Sequence, residues 1–426
     1  MTLNGIAENS WISNYIEKNI GKEFHRITGI HIDIEKVPWE TMYQKSLRYI
    51  LHKKSDYDFI YIEQDMIYSY MKNGYLVNIS QKLSSHPGLR SPSFSFDDFT
   101  TFLNYFKDGS QQIYGIPVEA YLKLYFYRED LFSNEKYRKM YEEKYHSKLS
   151  PAKNFEDYKR ISEFFTFIGK LEKRPLWGTT FQGGSAFYAA FYEFFETIAP
   201  AFGLYHWGIK NNRASVAKGG NMDSDVAVKA IEYWISLKKF APPESDISTW
   251  DTTAESMSMG RVAQGMIYGE NAIWLATDAM RSKVAGRIKV GLPPTDPVSL
   301  QNAQSGLGYI GYYDGGSYSI PVTSQKAEAA LLWLQFLGDR MIQEQKTMKT
   351  GAIVHKSTLT SDRIKAFDHK TGGYFSTFLD YEYLFSGAPK FPAHTNIRDI
   401  ISGLHNRGHR WKKNTQGCFT TSCHSG

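Results

Sequence analysis

The chain has 426 residues, 42% hydrophobic and 15% aromatic, which is enough apolar material for two cores. Fifty basic against 44 acidic residues leave a formal charge of +6 spread along the chain; apart from a short C-terminal run there is no clustered basic face, which argues against nucleic acid as a partner. No stretch approaches the roughly 20 apolar residues of a membrane span, and the two cysteines, Cys418 and Cys423, are too few for a structural metal site.

In chain order, TLNGIA reads as a first strand. Trp11, Tyr15, Ile16, Ile20, Phe24 and Ile27 then recur at helical spacing, with Gly29 as the stop. Ile30, Ile32 and Ile34 alternate as in a strand, a helix follows over about 40 to 53, and YDFIYI is the next strand. Helix and strand alternating in this way predict right-handed crossovers and a mainly parallel sheet. Farther on, helices are predicted near 154–168, 185–198 and 223–240, the last with Val226, Ala230, Trp234 and Leu237 on one face. SIPVTSQKAEAALLWLQFLGD reads as a strand, a Ser324 cap, an apolar helix and a Gly338 stop. GLPPTDP and YYDGGSY mark loops between elements, and there is no internal repeat.

In parallel sheets, ligands bind beyond the carboxyl ends of the strands. Glu63, Gln64 and Asp65 occupy that position after YDFIYI, and Trp39 occupies it after the preceding strand. Glu119 and Tyr121 open a later apolar segment, YGIPVEAYLKLYFY. An unpaired carboxylate in a dry core costs several kcal/mol, so these acids are predicted to face a wet cleft. The bland alternatives are a helix cap for Asp65, a salt bridge for Glu119 and helix packing for Trp39.

Catalytic patterns are weaker. Gly306 to Gly311, GLGYIG, has the spacing of a dinucleotide loop but neither follows a clear strand nor opens a helix. Glu63 and Asp65 lie two residues apart on one short stretch, a poor arrangement for flanking a scissile bond from opposite sides. No enzyme activity, cofactor or metal is expected.

The segments FHRITGIHIDIEKVPWETMYQKS, SDYDFIYIEQDMIYSYMKNGYLVNI and YGIPVEAYLKLYFYREDLF, followed in order by FEDYKRISEFFT, GRVAQGMIYGENAIW, IKVGLPP and EAALLWLQFLGD, together resemble the family-one extracellular solute-binding proteins of ABC importers, the carbohydrate-type, maltose-binding-protein-like group. The resemblance runs from about residue 2 to 405. It implies an α/β, two-lobed periplasmic-binding-protein-like fold (type II), each lobe a mainly parallel sheet flanked by helices, with the ligand cleft between them. The lobes would be 1–118 with 312–345, and 119–311 with 346–426, crossing near 115–125, 305–321 and 345–352.

Residue by residue, the resemblance puts Asp65 on an aspartate that holds sugar hydroxyls and Glu119 on a ligand-binding glutamate. It puts Gln182 and Gly183 in a ligand-facing loop, and Tyr268, Glu270, Asn271 and Trp274 in the loop of an aromatic platform. Gly315, Gly316 and Tyr318 would let backbone approach the ligand. Met66 stands where an arginine is expected, and Gly183, Gly184 and Asn271 also depart from the maltose-binding pattern, so maltose is not the expected ligand.

The implied function is capture of a sugar, oligosaccharide, glycoside or polyol by a monomer, and delivery to the permease subunits of an ABC importer. A sugar–amino-acid conjugate or other zwitterion is the alternative, and a carbohydrate-active enzyme a remote one. The location implied is periplasmic or extracellular, at the membrane through the transporter. MTLNGIAENSW is not a basic-then-apolar leader, so export rests on the resemblance alone. The tail NRGHRWKKNTQGCFTTSCHSG does not look like the family's terminal helix, and Cys418 and Cys423 could close a small disulfide loop or none.

Overall fold

β1 (Thr2–Glu8) pairs in parallel with β2 (His31–Val37) from Thr2 opposite His31 to Glu8 opposite Val37, and with β3 (Phe59–Glu63) through Gly5 and Ile6. The structure, a computed structural model, describes residues 1–211 and 213–406; the tail with Cys418 and Cys423 lies outside them. The connection from β1 to β2 is helical, as Trp11–Tyr15, a π turn Ile16–Gly21, and Lys22–Thr28, stopped by Gly29 at φ 73°. The π turn takes up an extra residue and rotates the apolar face. Ile16, Ile20 and Phe24 are buried, whereas Trp11 and Ile27, expected on the same face, are 58% and 57% exposed. The helix Trp39–Leu51 joins β2 to β3.

Five further strands follow, β4 (Gly115–Arg128), β5 (Gln264–Tyr268), β6 (Ile288–Gly291), β7 (Gly311–Ser319) and β8 (Phe385–Ser386). The chain divides into two compact units. The first holds residues 1–121, 314–364 and 387–392, and the second holds the described residues of 122–313, 365–386 and 393–406.

In the first unit the strand order is β2, β1, β3, then β7 from Asp314 onward, then β4 up to Tyr121. β7 runs antiparallel to β3, Ile60 opposite Ser319 and Glu63 opposite Gly316. Trp333, on the helix Ala327–Leu337, packs against Phe24 and Phe59 with ring centres 5.1 and 6.2 Å apart, filling the space beneath the sheet. That helix begins after Lys326 rather than at the expected Ser324, whose hydroxyl instead accepts from Lys326 N–H and donates to Asp58.

In the second unit the expectation of a mainly parallel sheet does not hold. β4 pairs antiparallel with β5 on one side, Lys123 opposite Tyr268, and with β6 on the other, Tyr125 opposite Gly291. β4 carries the chain in from the first unit, so the carboxyl ends of β5 and β6 lie beside its point of entry. Parallel pairing survives between β7 and β8. The helix expected over 223–240 is Asp225–Leu237, capped by Ser224; Ala227 takes the inward position and Val226 is exposed. Among the described residues no helix is long and apolar enough to cross a membrane.

The third crossing differs from the expected 345–352 and falls after Ile364. Thr100 N–H bonds to Val354 O at 2.8 Å, Ile353 N–H to Ala120 O at 3.2 Å, and Ser357 N–H to Asp98 at 3.0 Å, which fastens 351–364 to the first unit.

Gly315 is where β7 crowds its neighbour. Its φ of 122° suits glycine alone, and a Cβ there would lie 2.3 Å from Glu119 O. Gly315→Ala is predicted to cost about 2–3 kcal/mol or more of unfolding free energy in urea denaturation. A loss under about 0.5 kcal/mol would contradict this account of the turn.

Candidate functional site

The carboxyl ends of β1 and β3 in the first unit are acidic. Glu63 closes β3, and its Oε1 accepts from Trp39 Nε1 at 2.8 Å, while its backbone N–H donates to Tyr43 OH at 3.1 Å. Trp39 is buried and meets Tyr43 edge-on at 5.0 Å, so its indole orients Glu63. Burial raises the Glu63 carboxyl well above its ordinary range; the charges of Asp314 and Asp65 push it further and Glu8 adds a smaller push, against the Trp39 hydrogen bond. Three neighbouring carboxylates, Asp314, Asp65 and Glu8, thus act on Glu63.

Asp65 is 9% exposed and does not cap the next helix. Ile67–Lys72 is preceded by Met66 and has no side-chain cap. Gln64, expected at the ligand, is committed elsewhere, its Oε1 accepting from Ala388 N–H at 2.8 Å and its own N–H donating to Gly315 O at 3.1 Å.

Glu119 is buried rather than in a wet cleft. Its Oε2 accepts from Tyr121 OH at 2.9 Å and from Tyr61 OH at 3.1 Å. Lys346, fully buried on the helix Arg340–Thr350, donates to Val118 O beside it. Burial raises the Glu119 carboxyl against these two hydroxyls and the Lys346 charge, and pushes the Lys346 ammonium down to about 7. The cost of desolvating the acid is offset by protein donors.

Three expected first-unit contacts are structural. Tyr318 is 1% exposed, with Phe59 and Tyr61 edge-on to its ring at 5.0 and 6.1 Å. The space beside Gly315 is filled by Glu119 O, and that beside Gly316 by the Tyr61 ring, so the glycines serve the approach of strands to one another.

In the second unit a buried charged network occupies much of the expected site. Lys123 ion-pairs with Glu193, donates to Gln182 Oε1 at 3.2 Å and lies 4.3 Å from the Tyr268 ring centre. Tyr268 OH donates to Glu196. Gln182 Nε2 donates to Ala189 O at 2.8 Å, so both ends of that amide are taken. Gly183 N–H donates to Ser245 O at 3.0 Å, and a Cβ there would meet that same oxygen at 2.7 Å. Gln182, Gly183 and Tyr268 therefore brace the unit instead of presenting side chains to a ligand.

Glu270, Asn271 and Trp274 do form one group, in the turn after β5. Trp274 Nε1 donates to Asn271 Oδ1 at 2.9 Å, and Asn271 Nδ2 reaches Glu270 Oε1 at 3.5 Å. Trp274 and Glu270 are half-buried, and the Arg281 guanidinium lies 4.3 Å from the indole centre. Among the described residues no cluster of three or more His, Cys, Asp or Glu side chains is arranged to hold a metal ion.

Sequence reasoning missed Glu8, Asp314, Tyr61 and Lys346. Glu8 was within reach of the same rule that found Glu63, since it closes β1 as Glu63 closes β3.

Residues 19–365 match the family of bacterial extracellular solute-binding proteins. The chain belongs to that family. Such solute-binding proteins act outside the cytoplasm and work with the permease subunits of ABC transporters. No curated sequence relative matches. Among solved structures, this solute-binding protein shares its fold with maltose-bound MalE3 of T. maritima, at TM-score 0.78 and 15% identity, covering 99% of this chain and 98% of that one. An ABC transporter solute-binding protein of Agrobacterium radiobacter K84 in complex with ribitol gives 0.76 and 19%, over 99% and 97%. One of Agrobacterium vitis S4 with bound D-mannitol gives 0.76 and 16%, over 99% and 96%.

The Glu63 carboxyl supplies a test with a definite sign. With its folded pKa above the unfolded 4.5, it is protonated in both states at low pH and destabilises the fold progressively as pH rises past the unfolded value. Glu63→Gln keeps an acceptor for Trp39 and is predicted to raise Tm by ~2–4 °C at about pH 8, with the gain vanishing near pH 4. An equal Tm difference at both pH values would contradict the assignment.

Proposed function

We propose that this solute-binding protein captures a small polyhydroxylated solute, a sugar, oligosaccharide, glycoside or polyol, for an ABC importer. The observation that carries the reading is the set of carboxylates at the first unit's strand ends, Glu63 and Asp65 foremost. A carboxylate accepts hydrogen bonds from neighbouring hydroxyls, and its charge strengthens them. In the second unit Trp274 offers a ring face, with Glu270 and Asn271 as polar partners. The relatives with ribitol, D-mannitol and maltose support this class of ligand.

The role is non-enzymatic. Glu63 and Asp65 sit two residues apart, one closing β3 and one just beyond it, which suits joint hydrogen bonding and not attack from two sides. A second reading, an amine-bearing sugar conjugate, draws on Glu8, Asp65 and Asp314 all acting on Glu63 with no basic group among its main influences.

Calorimetry against neutral sugars, polyols and their amino derivatives tests both. Asp65→Asn and Trp274→Ala are each predicted to weaken the best ligand about tenfold or more, with the fold intact by circular dichroism. Preference for amino derivatives that fades with salt would select the second reading. Turnover of a glycoside, or wild-type affinity in both variants, would refute the binding site.

A further inference from the structure

In the first unit, away from the strand ends, an imidazole is buried at a seam between two stretches of chain. His355 is 1% exposed. It stands opposite Phe99 in an isolated antiparallel bridge, and the Phe99 ring meets it edge-on with centres 4.4 Å apart. Hydrogen bonds close the seam on either side, from Thr100 N–H to Val354 O at 2.8 Å and from Ser357 N–H to Asp98 Oδ1 at 3.0 Å. The Ser357 hydroxyl donates to Asp98 Oδ2, and Lys356 Nζ reaches Asp97 O at 3.3 Å.

The charged groups that bear on the ring are Asp98, Lys346 and Asp339. Asp98 Oδ2 lies 3.3 Å from Nδ1. Lys346, on the helix Arg340–Thr350, and Asp339, just before that helix, act on it with opposite signs. Nε2 has no hydrogen-bond partner among the described residues. A neutral imidazole suits this place. Charging it would put a second N–H donor where no acceptor meets Nε2, in a dry seam beside another cation, with one carboxylate at Nδ1 to compensate. Burial accordingly pushes the His355 imidazole below its ordinary value, against Asp98, with Lys346 pushing the same way and Asp339 opposing. Asp98 is itself held well below the ordinary carboxylate range, by His355 first and then by Ser357, so it stays ionised while His355 titrates.

The seam also has a place in the chain. Residues 351–364 lead directly to the crossing into the second unit at Lys365. What fastens this stretch to residues 97–100 therefore sets how much chain is free ahead of that crossing.

We propose that His355 is an acid-released latch: neutral, it fastens the stretch before the third crossing onto residues 98–100, and protonated, it lets that stretch open so that the ring reaches water. The sign follows from linkage. The opened stretch takes up a proton from the ordinary histidine value of 6.5 downward. The closed stretch takes it up only at lower pH, so opening becomes easier as pH falls below that value. The corresponding loss from Asp98 begins only below its ordinary 3.8, which separates the two. Lys346, its ammonium pushed down to about 7, gains charge as His355 does, and a variant at His355 tells the two apart.

The test is amide hydrogen exchange on the whole chain at about pH 7.5 and about pH 5.5, with rates corrected for the intrinsic effect of pH. The amides of Thr100, Ile353 and Ser357 should open about five- to tenfold more readily at the lower pH. His355→Gln, which takes up no proton in this range, should abolish that difference with Lys346 still in place. The proposal is overturned if these amides are equally protected at both pH values, if protection rises on acidification, or if a folded His355→Gln variant keeps the full difference. Should His355→Gln not fold, ¹³C NMR of the wild-type imidazole decides. The latch requires a midpoint below 6.5, and a midpoint at or above that value overturns it.

Discussion

A carboxylate withdrawn from water must find donors, and this requirement governs how the first unit is built. Glu63 stands at the end of β3 with one indole N–H against three neighbouring acids. Glu119 is met by two tyrosine hydroxyls and backed by a buried lysine. The two acids differ in how far the protein itself supplies what burial removes. Glu119 is supported from within, so its position on β4 is fixed in advance. Glu63 is held by the Trp39 indole against three acids, and under the proposed function hydroxyl groups brought by a solute would be its complement.

The second unit solves a similar problem in a way that narrows the site. Lys123 and Glu193 neutralise one another beneath the Tyr268 ring, and Tyr268 is spent on Glu196. Buried pairs of this kind contribute little net stability but are costly to break, so the residues holding them are poor choices for a changing ligand environment. In the turn after β5, Trp274 donates to Asn271, Asn271 reaches Glu270, and Arg281 lies over the indole.

Much of the fold was legible because it follows local periodicity. Ile32 and Ile34 of the alternation lie in β2, and FIYI of YDFIYI forms β3 with its acidic end. What failed was long-range or depended on non-standard helix. No sequence spacing announces the π turn that pushes Trp11 and Ile27 outward, nor the antiparallel pairing of β4, which follows from chain direction between units. Site residues divided along the same line. Glu63 stands at a strand end and Asp65 just beyond it, as their sequence position suggests, whereas Gln64, Gln182 and Tyr318 contact groups far away in sequence, Ala388, Lys123 and Phe59.

The most direct test follows the carboxyl carbons of Glu63 and Asp65 by ¹³C NMR through a pH titration, without ligand and with the tightest sugar or polyol. Without ligand, Glu63 should titrate well above the ordinary glutamate value; with ligand its pKa should fall, because bound hydroxyls favour the ionised form. A Glu63 that titrates at the ordinary value, and is unmoved by saturating ligand, would contradict the claim that these acids receive the solute.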